Sequence, residues 1–383
     1  CAALYAAAEI TRGKGNQTLA ERMEHLASAA DFSALYDKSV HLFRIAVDSS
    51  GVGIGGHYDM LASEARLTSY LAIAAGDVPK KHWRSLSRML SETNGYSGLV
   101  SWSGSLFEYL MPNLLMPEIE NSLLYEANRY AVYCQQRYAK RRHLPWGISE
   151  STFYAFDESL NYQYKAHGVS TLGLKNGLGR ELVLSPYSSY LALCVEPAKT
   201  IRNLRRLSWL KEIQGKYGMY ESVDFTERRF AKSDDTHLSY RVCKTYMAHH
   251  MAMSLCAICN LVTDCQNGTP YFVAAFQGRP EFHAYESLLS ERVPIHSINV
   301  RHIHAQSDLQ PRTQHALSYR IFCEDARTAM PRYHLMANTG CTLLTASNGR
   351  SRLYSHRAEA YLPDPGVAVL FYTPDGTLSA TSA

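Results

Sequence analysis

Neither sign of charge dominates this sequence: 39 Lys and Arg stand against 35 Asp and Glu, a formal net charge of +4 over 383 residues. A polyanion-binding protein of this size carries a basic stripe or a recognisable module, so no nucleic-acid partner is expected. The two densest basic runs, Arg137 to His143 and Arg202 to Lys211, read as solvated helix ends. No apolar run reaches the roughly 18 residues that a membrane span requires. The longest candidate, Met251 to Val262, is shorter and contains Asn260, so no direct membrane segment is expected in this chain. Nine cysteines, an odd number without repeated spacing, argue for reduced thiols in the cytoplasm rather than a disulfide framework. Cys256-Ala-Ile-Cys259 has metal-like spacing, but no second pair follows, and small apolar neighbours continue a helical pattern. Neither metal nor cofactor is expected. There is no initiator Met, and both ends read as cut from something longer.

What is present is helical periodicity over most of residues 1–290. Apolar positions recur at helical spacing over Ala20 to Asp48, His57 to Ala75, His82 to Leu90, Gly104 to Leu115, Asn121 to Arg142, Tyr187 to Lys211 and Tyr240 to Val262. Gly51-Val-Gly-Ile-Gly-Gly56 lacks a Walker lysine and reads as a turn opening a helix. Two long connections, 145–183 and 214–239, exceed what a compact domain usually tolerates without function. After about 295 the pattern turns β-rich: His315 to Glu324, Leu343 to Ala346 and Val367 to Tyr372, with Asn-Gly and Asp-Gly turn signals at 348–349 and 375–376.

The chemistry-bearing positions are carboxylates set among aromatics. Met60, Glu64, Leu67 and Leu71 fall on one helical stripe, so Glu64 interrupts an apolar face. A lone buried carboxylate costs several kcal/mol unless paired, or it raises its pKa and holds a proton as a general acid does. The competing reading is an ion pair with Arg66. In Pro145-Trp-Gly-Ile-Ser-Glu150-Ser151, Pro and Gly fix a loop, Trp146 offers a flat wall and two hydroxyls flank Glu150. A carboxylate beside a helix N-terminus explains Glu150 equally well. Further marked positions are Trp102, Glu108, Asp157, Tyr162, Gln163, Lys165, Tyr220, Glu221, Asp224, His249 and His250. The 26 tyrosines suit sugar stacking, though most fill helical cores. His249 and His250, adjacent on a helix, point about 100° apart and make a poor metal site.

Six strings in order carry a resemblance. They are His57-Tyr-Asp59-Met-Leu-Ala-Ser-Glu64-Ala-Arg66, Gly98-Leu-Val-Ser-Trp102-Ser-Gly-Ser-Leu-Phe-Glu108, Pro145 to Ser151, Tyr162-Gln-Tyr-Lys-Ala-His-Gly168, Tyr220-Glu-Ser-Val-Asp224 and Met247-Ala-His-His250. Together they resemble the glucoamylase-like domain of bacterial cyclic β-1,2-glucan synthases, which is related to the endo-β-1,2-glucanases. The chain departs from that pattern at Met251-Ala252, where Gln-Gly is expected, and at Asn176, where Arg is. The tail from Pro331 to Gly349 is similar to the start of the cellobiose-phosphorylase-like domain that follows in those synthases.

The resemblance implies a mainly α fold: an (α/α)6 barrel over 1–290, a linker over 291–315, and the N-terminal part of a phosphorylase-type β-sandwich over 316–383, truncated. It implies retaining transglycosylation on linear β-1,2-glucan, closing the chain into a ring. Glu64 would be acid/base and Glu150 nucleophile, with Glu221 the leading substitute and Glu108 and Asp157 behind it. Asp59, Arg66, Trp102, Glu108, Trp146, Asp157, Tyr162, Gln163, Lys165, Tyr220, Glu221, Asp224, His249 and His250 would bind substrate. The implied partners are the glucan and the glucosyltransferase and phosphorylase-like parts of the same synthase, at the cytosolic face of the inner membrane. An endo-β-1,2-glucanase and a non-catalytic glucan-binding fragment are the alternative readings.

Overall fold

The computed structural model describes residues 1–157, 159–226, 239–263 and 268–292, and five later strands within 333–380. The chain divides into two compact units, 1–307 and 308–383. The expected linker beyond 292 and the segment His315 to Glu324 lie outside the described residues.

The first unit is helix-rich. α1 (Ala2–Gly13) and α2 (Gln17–Ser28) form a helical hairpin, fastened by the Arg12–Glu24 ion pair at 2.6 Å. α3 (Arg66–Ala75), α4 (Lys81–Ser85), α5 (Leu106–Leu110) and α6 (Leu123–Lys140) follow. Then come α7 (Pro186–Leu191), α8 (Pro197–Ser208), α9 (Ala248–Val262), α10 (Tyr271–Gln277) and α11 (Pro280–His283). α6 shows why such segments form. Ser122 caps its N-terminus, Glu126 lies in the first turn, and Arg137 and Lys140 lie in the last, each charge opposing the helix dipole. Its buried face, Leu123, Ala127, Tyr130, Ala131 and Cys134, keeps the helical period. These side chains join one core with Tyr70, Trp83, Leu99, Leu106, Tyr109, Leu191, Phe276 and Phe282. Each fully buried Leu or Phe there contributes about 1.5–3 kcal/mol. The Tyr70 hydroxyl donates to the Phe282 carbonyl at 2.6 Å, tying α3 to α11.

Several expected helices are shorter than their periodicity, and strands occupy the difference. The stretch Ala20 to Asp48 is helical only to Ser28. Asp31 then caps a short 3-10 turn, Phe32–Leu35, and Tyr36–Asp37 (β1) and Leu42–Val47 (β2) pair as strands. The β-branched Ile45 and Val47 suit that state. The glycine-rich turn opens no helix: Gly53–Tyr58 is β3, antiparallel to β2, and Asp48 closes the turn by accepting from Ser50 and Val52. Leu90–Thr93 (β4) and Tyr96–Leu99 (β5) form a hairpin where the end of a helix was expected. Tyr187 to Lys211 divides at Pro197, which cannot continue a helix but can begin one. Tyr240 to Val262 is helical only from Ala248.

The long connection 145–183 is built around a second hairpin, Ser151–Phe156 (β6) with Tyr162–Lys165 (β7). Beside it lies a three-stranded sheet in the order β12-β11-β8, made of Arg241–Cys243, Ser222–Asp224 and Val183–Leu184. Gln214–Gly215 (β9) and Gly218–Met219 (β10) pair separately.

The described part of the second unit is all strand. Tyr333–Ala337 (β13), Cys341–Ala346 (β14) and Ser351–Ser355 (β15) pair in sequence, antiparallel. Val369–Thr373 (β16) pairs with Gly376–Ala380 (β17). Of the two turn signals, Asn348-Gly349 and Asp375 lie outside the described residues, and Gly376 opens β17. Among the described residues no helix is long and apolar enough to cross a membrane.

Candidate active site

The segment carrying Glu150 is irregular, yet its main chain is fully engaged. Gln135 on α6 pairs with Ile148 through both amide atoms, at 2.8 and 2.9 Å. Asn203 on α8 does the same for Trp146, at 2.9 and 2.7 Å. Ser185 N–H donates to the Gly147 carbonyl at 2.8 Å. Gly147 sits at φ +129°, and a Cβ there would come 2.7 Å from Ser189 Oγ; only glycine lets the segment cross α7 this closely. Immediately after it, the Tyr187 hydroxyl donates to the Glu150 carbonyl at 2.8 Å and lies 2.9 Å from Ser149 Oγ. The scaffold therefore holds Glu150 at the head of β6.

Glu64 lies in the turn before α3 rather than on the helix. Of the expected stripe only Leu67 and Leu71 are helical, and Met60 instead bridges Ser87. The conclusion drawn from the stripe survives its premise: Glu64 is half-buried, with Ser63 Oγ donating to it at 3.1 Å. Burial first, and then the charge of Glu108, push its carboxyl above the ordinary value.

Glu150 is likewise half-buried and is pushed up to about 7, by burial first and then by the charge of Glu64. A hydrogen bond from Tyr164 and the charge of Lys175 oppose the rise. The Tyr58 hydroxyl is raised by burial and then by Glu64 and Glu150 together. Two carboxyls, two tyrosines and one lysine thus act on one another's charge, and a pair of interacting carboxyls in partial burial is a proton donor–acceptor arrangement.

A second cluster adjoins the first. Glu221 Oε1 lies 2.7 Å from His250 Nδ1, with side-chain exposures of 3% and 1%. His250 Nε2 lies 3.4 Å from the Tyr164 hydroxyl. The His250 ring stacks on Tyr187 at 3.6 Å between centroids and 8° between planes. Burial pushes Glu221 up to about 8 and holds His250 down at about 3. Both groups open onto a cavity of about 190 Å³ walled by Tyr190, Tyr217, Tyr220 and Tyr246.

Other expected contacts serve the scaffold. Arg66 is enclosed, 2% exposed, and donates to the carbonyls of Ser63 and Glu108 at 3.0 and 2.8 Å, to that of Tyr109, and to Asn113 Oδ1 at 3.0 Å. Both terminal nitrogens are spent on the scaffold, and the guanidinium makes no ion pair with Glu64; burial brings it down to about 10. Glu108 caps α5 and takes hydrogen bonds from Ser101, Ser103 and Ser105, five in all. It cannot replace either reacting carboxyl. Trp146 is core, not wall, at 5% exposure. Asp224 accepts from Tyr154 and Thr226 N–H groups, pinning β11 to β6. Asp157 is exposed and closes the β6–β7 turn through Ser159 and Asn161. Lys165 pairs with Glu181 and lies over the Phe153 ring.

The remaining expected residues lie at surfaces. Trp102 is 60% exposed, on a loop whose main-chain carbonyl accepts from Leu174 and Lys175. Asp59 is exposed beside Tyr58, and His249 is exposed, lining a separate apolar cavity of about 610 Å³. Tyr220 tilts against Tyr246 and Tyr162 against Phe156, while Gln163 pairs opposite Phe153 in the hairpin. Among the described residues, no three His, Cys, Asp or Glu side chains converge to hold a metal ion.

Sequence reasoning passed over Tyr58, Tyr164, Lys175 and Tyr187 as site residues. Strand alternation is the signal that could have found Tyr164: in β7 it stands opposite Thr152, with Gln163 and Lys165 on the other face.

The Glycoamylase family model, whose description is that of a glucoamylase, matches residues 56–266. The chain is 41% identical over 277 residues to the cyclic β-(1,2)-glucan synthase NdvB of Rhizobium meliloti (strain 1021). That match takes in 72% of this chain and 9% of that protein, so the chain spans about a tenth of its relative's length. Its fold is similar to that of an endo-β-1,2-glucanase from Chitinophaga pinensis, with a TM-score of 0.53 at 16% identity over 76% of this chain and 69% of that one. It is similar also to an endo-β-1,2-glucanase from Talaromyces funiculosus, with a TM-score of 0.55 at 14% identity over 75% and 59%. With the family model covering more than half of its residues, the chain belongs to the Glycoamylase family.

Proposed function

We propose that this chain is a carbohydrate-active domain that acts on linear β-1,2-glucan by retaining transglycosylation, within an (α/α)6 barrel, as part of a cyclic β-1,2-glucan synthase. The observation that carries the reading is the facing of Glu64 and Glu150, two half-buried carboxyls far apart in sequence, with the charge of one raising the other. Such a pair retains one proton at neutral pH. Tyr164 and Lys175 favour charge on Glu150, and the reading assigns the shared proton to Glu64.

The chemistry then runs in two displacements. The Glu150 carboxylate attacks the anomeric carbon while Glu64 gives its proton to the departing glycosidic oxygen, forming a glucosyl ester. Glu64, now a base, takes the proton of an incoming 2-hydroxyl from the far end of the same chain. That oxygen displaces Glu150 and restores the β-linkage in a ring. Water at the same position gives a shorter linear chain, so acceptor positioning separates cyclase from hydrolase. The glucosyltransferase and phosphorylase-like parts of the synthase are the implied partners, at the cytosolic face of the membrane. The strands β13–β17 are read as the opening of the phosphorylase-type β-sandwich.

The test is incubation of the purified chain with long linear β-1,2-glucan. Rings without reducing ends support the proposal, whereas a growing reducing-sugar signal makes it an endo-β-1,2-glucanase. Binding without turnover makes it a glucan-binding fragment. Glu64→Gln and Glu150→Gln, each folded by circular dichroism, should lower the rate by about 10²–10⁴-fold; a near-normal rate removes that residue from the mechanism.

A further inference from the structure

We propose that Glu221, His250 and Tyr164 form a one-directional hydrogen-bonded chain that ends on Glu150 and holds it as a carboxylate. They are positioning residues that act through Glu150 rather than groups that grip the glucan. The inference rests on the reading of Glu150 as a reacting carboxyl.

The measured links are Glu221 Oε1 to His250 Nδ1 at 2.7 Å and His250 Nε2 to the Tyr164 hydroxyl at 3.4 Å; beyond them, the Tyr164 hydroxyl lowers the Glu150 carboxyl by hydrogen bonding. Counting protons fixes the direction. A tyrosine hydroxyl has one proton; given to Glu150, it leaves the phenol oxygen able only to accept. His250 must then present Nε2–H, so a neutral imidazole has a bare Nδ1. Glu221 can satisfy that nitrogen only as a protonated carboxyl. Each donor therefore points towards Glu150.

The reverse arrangement starts from ionised Glu221. Nδ1–H would donate to it, bare Nε2 would take the tyrosine proton, and Glu150 would lose its donor. Burial selects between the two, because it penalises charge on both members of the enclosed pair. It lifts Glu221 to about 8 and depresses His250 to about 3, the neutral pair that the forward direction needs. The stacked Tyr187 ring keeps the imidazole from turning, and the hydroxyl of the same tyrosine holds the Glu150 main chain. No proton crosses the chain; each stays on its heavy atom. At the Glu150 end the other titratable groups are Glu64, Glu108, Lys175 and Tyr58. At the Glu221 end they are His249, Cys243 and Tyr187.

The experiment is a pH–rate profile on linear β-1,2-glucan. Tyr164→Phe removes the donor to Glu150, so kcat should fall about tenfold or more with KM little changed, and the acidic limb should move up by about one pH unit. Glu221→Ala should also lower kcat. Glu221→Gln should rescue it, since an amide N–H donates to Nδ1 as the protonated carboxyl does, and should remove the decline expected of the unaltered protein above about pH 8. A raised KM with an unmoved limb in Tyr164→Phe, or a Gln variant as slow as the Ala variant at every pH, overturns the relay. Should Glu221→Ala fail to fold, Tyr164→Phe still decides. If Glu150→Gln keeps its rate, the reading of Glu150 has failed. If it loses activity while the Tyr164→Phe limb stays put, only the relay has.

Discussion

The Tyr187 ring lies flat against the His250 imidazole, 3.6 Å away and 8° from parallel. One tyrosine on α7 thereby fixes an imidazole from α9, while its hydroxyl fixes the main chain of Glu150. Two sequence-distant segments meet on a rigid aromatic with little side-chain entropy to lose, the kind of support that holds a reacting group in place.

Arg66→Met tests whether the guanidinium is a structural tie. Its removal takes the guanidinium donors from the carbonyls of Glu108 and Tyr109 and from Asn113 Oδ1, so unfolding free energy should drop by about 3 kcal/mol. Chemical denaturation measures it. An unchanged midpoint with a raised KM for glucan would return Arg66 to substrate binding.

Trp102→Ala should behave in the opposite way. The indole is 60% exposed, so stability should stay within about 0.5 kcal/mol of the unaltered protein. Loss of an apolar platform for a pyranose face should raise KM several-fold with kcat little changed. Thermal melts and steady-state kinetics on the same preparation separate the two effects.

Stability should fall on the alkaline side of neutrality. Glu221 titrates near 8 in the folded chain against an ordinary value of 4.5. A raised carboxyl contributes stability that is full below 4.5 and lost as pH climbs through the folded value. His250, depressed to about 3 from 6.5, acts with the opposite sign and only below about 6.5. Glu150, raised to about 7, adds to the fall near neutrality, so the difference between the unaltered protein and Glu221→Gln from pH 7 to 9 reads the Glu221 contribution. The melting temperature should drop by a few degrees across that interval, and by clearly less in Glu221→Gln. Equal slopes for the two proteins would show that Glu221 is ionised throughout.

Glu64 and Glu150, the pair proposed to react, were singled out because buried carboxylates among aromatics are expensive and so stand out in a sequence. The detail around them was less legible. Glu64 was placed on a helical stripe, yet it sits one turn earlier, because periodicity over four residues cannot distinguish a helix from the loop that precedes it. Trp146 looked like a sugar platform, but Asn203, 57 residues away, draws its main chain into the core. Arg66 and Glu108 looked like site residues since they adjoin one. Three of the four Arg66 partners are main-chain carbonyls, which leave no mark in side-chain identity, whereas the serines that hold Glu108 were in plain view at 101, 103 and 105. Tyr164 and Tyr187 were lost among 26 tyrosines, and only tertiary contact separates them from the rest. Helix α6, with its cap, charges and apolar face in agreement, was read to within two residues.

The clamp of Gln135 and Asn203 on residues 146–148 has a consequence for how such a domain can diversify. Because two amides from separate helices moor the strip just upstream of Glu150, the exposed turn between β6 and β7 can vary in length and composition without shifting the carboxyl at the hairpin's root. Novelty in glucan grip can accumulate on one side of that anchorage while the bond-making machinery stays put.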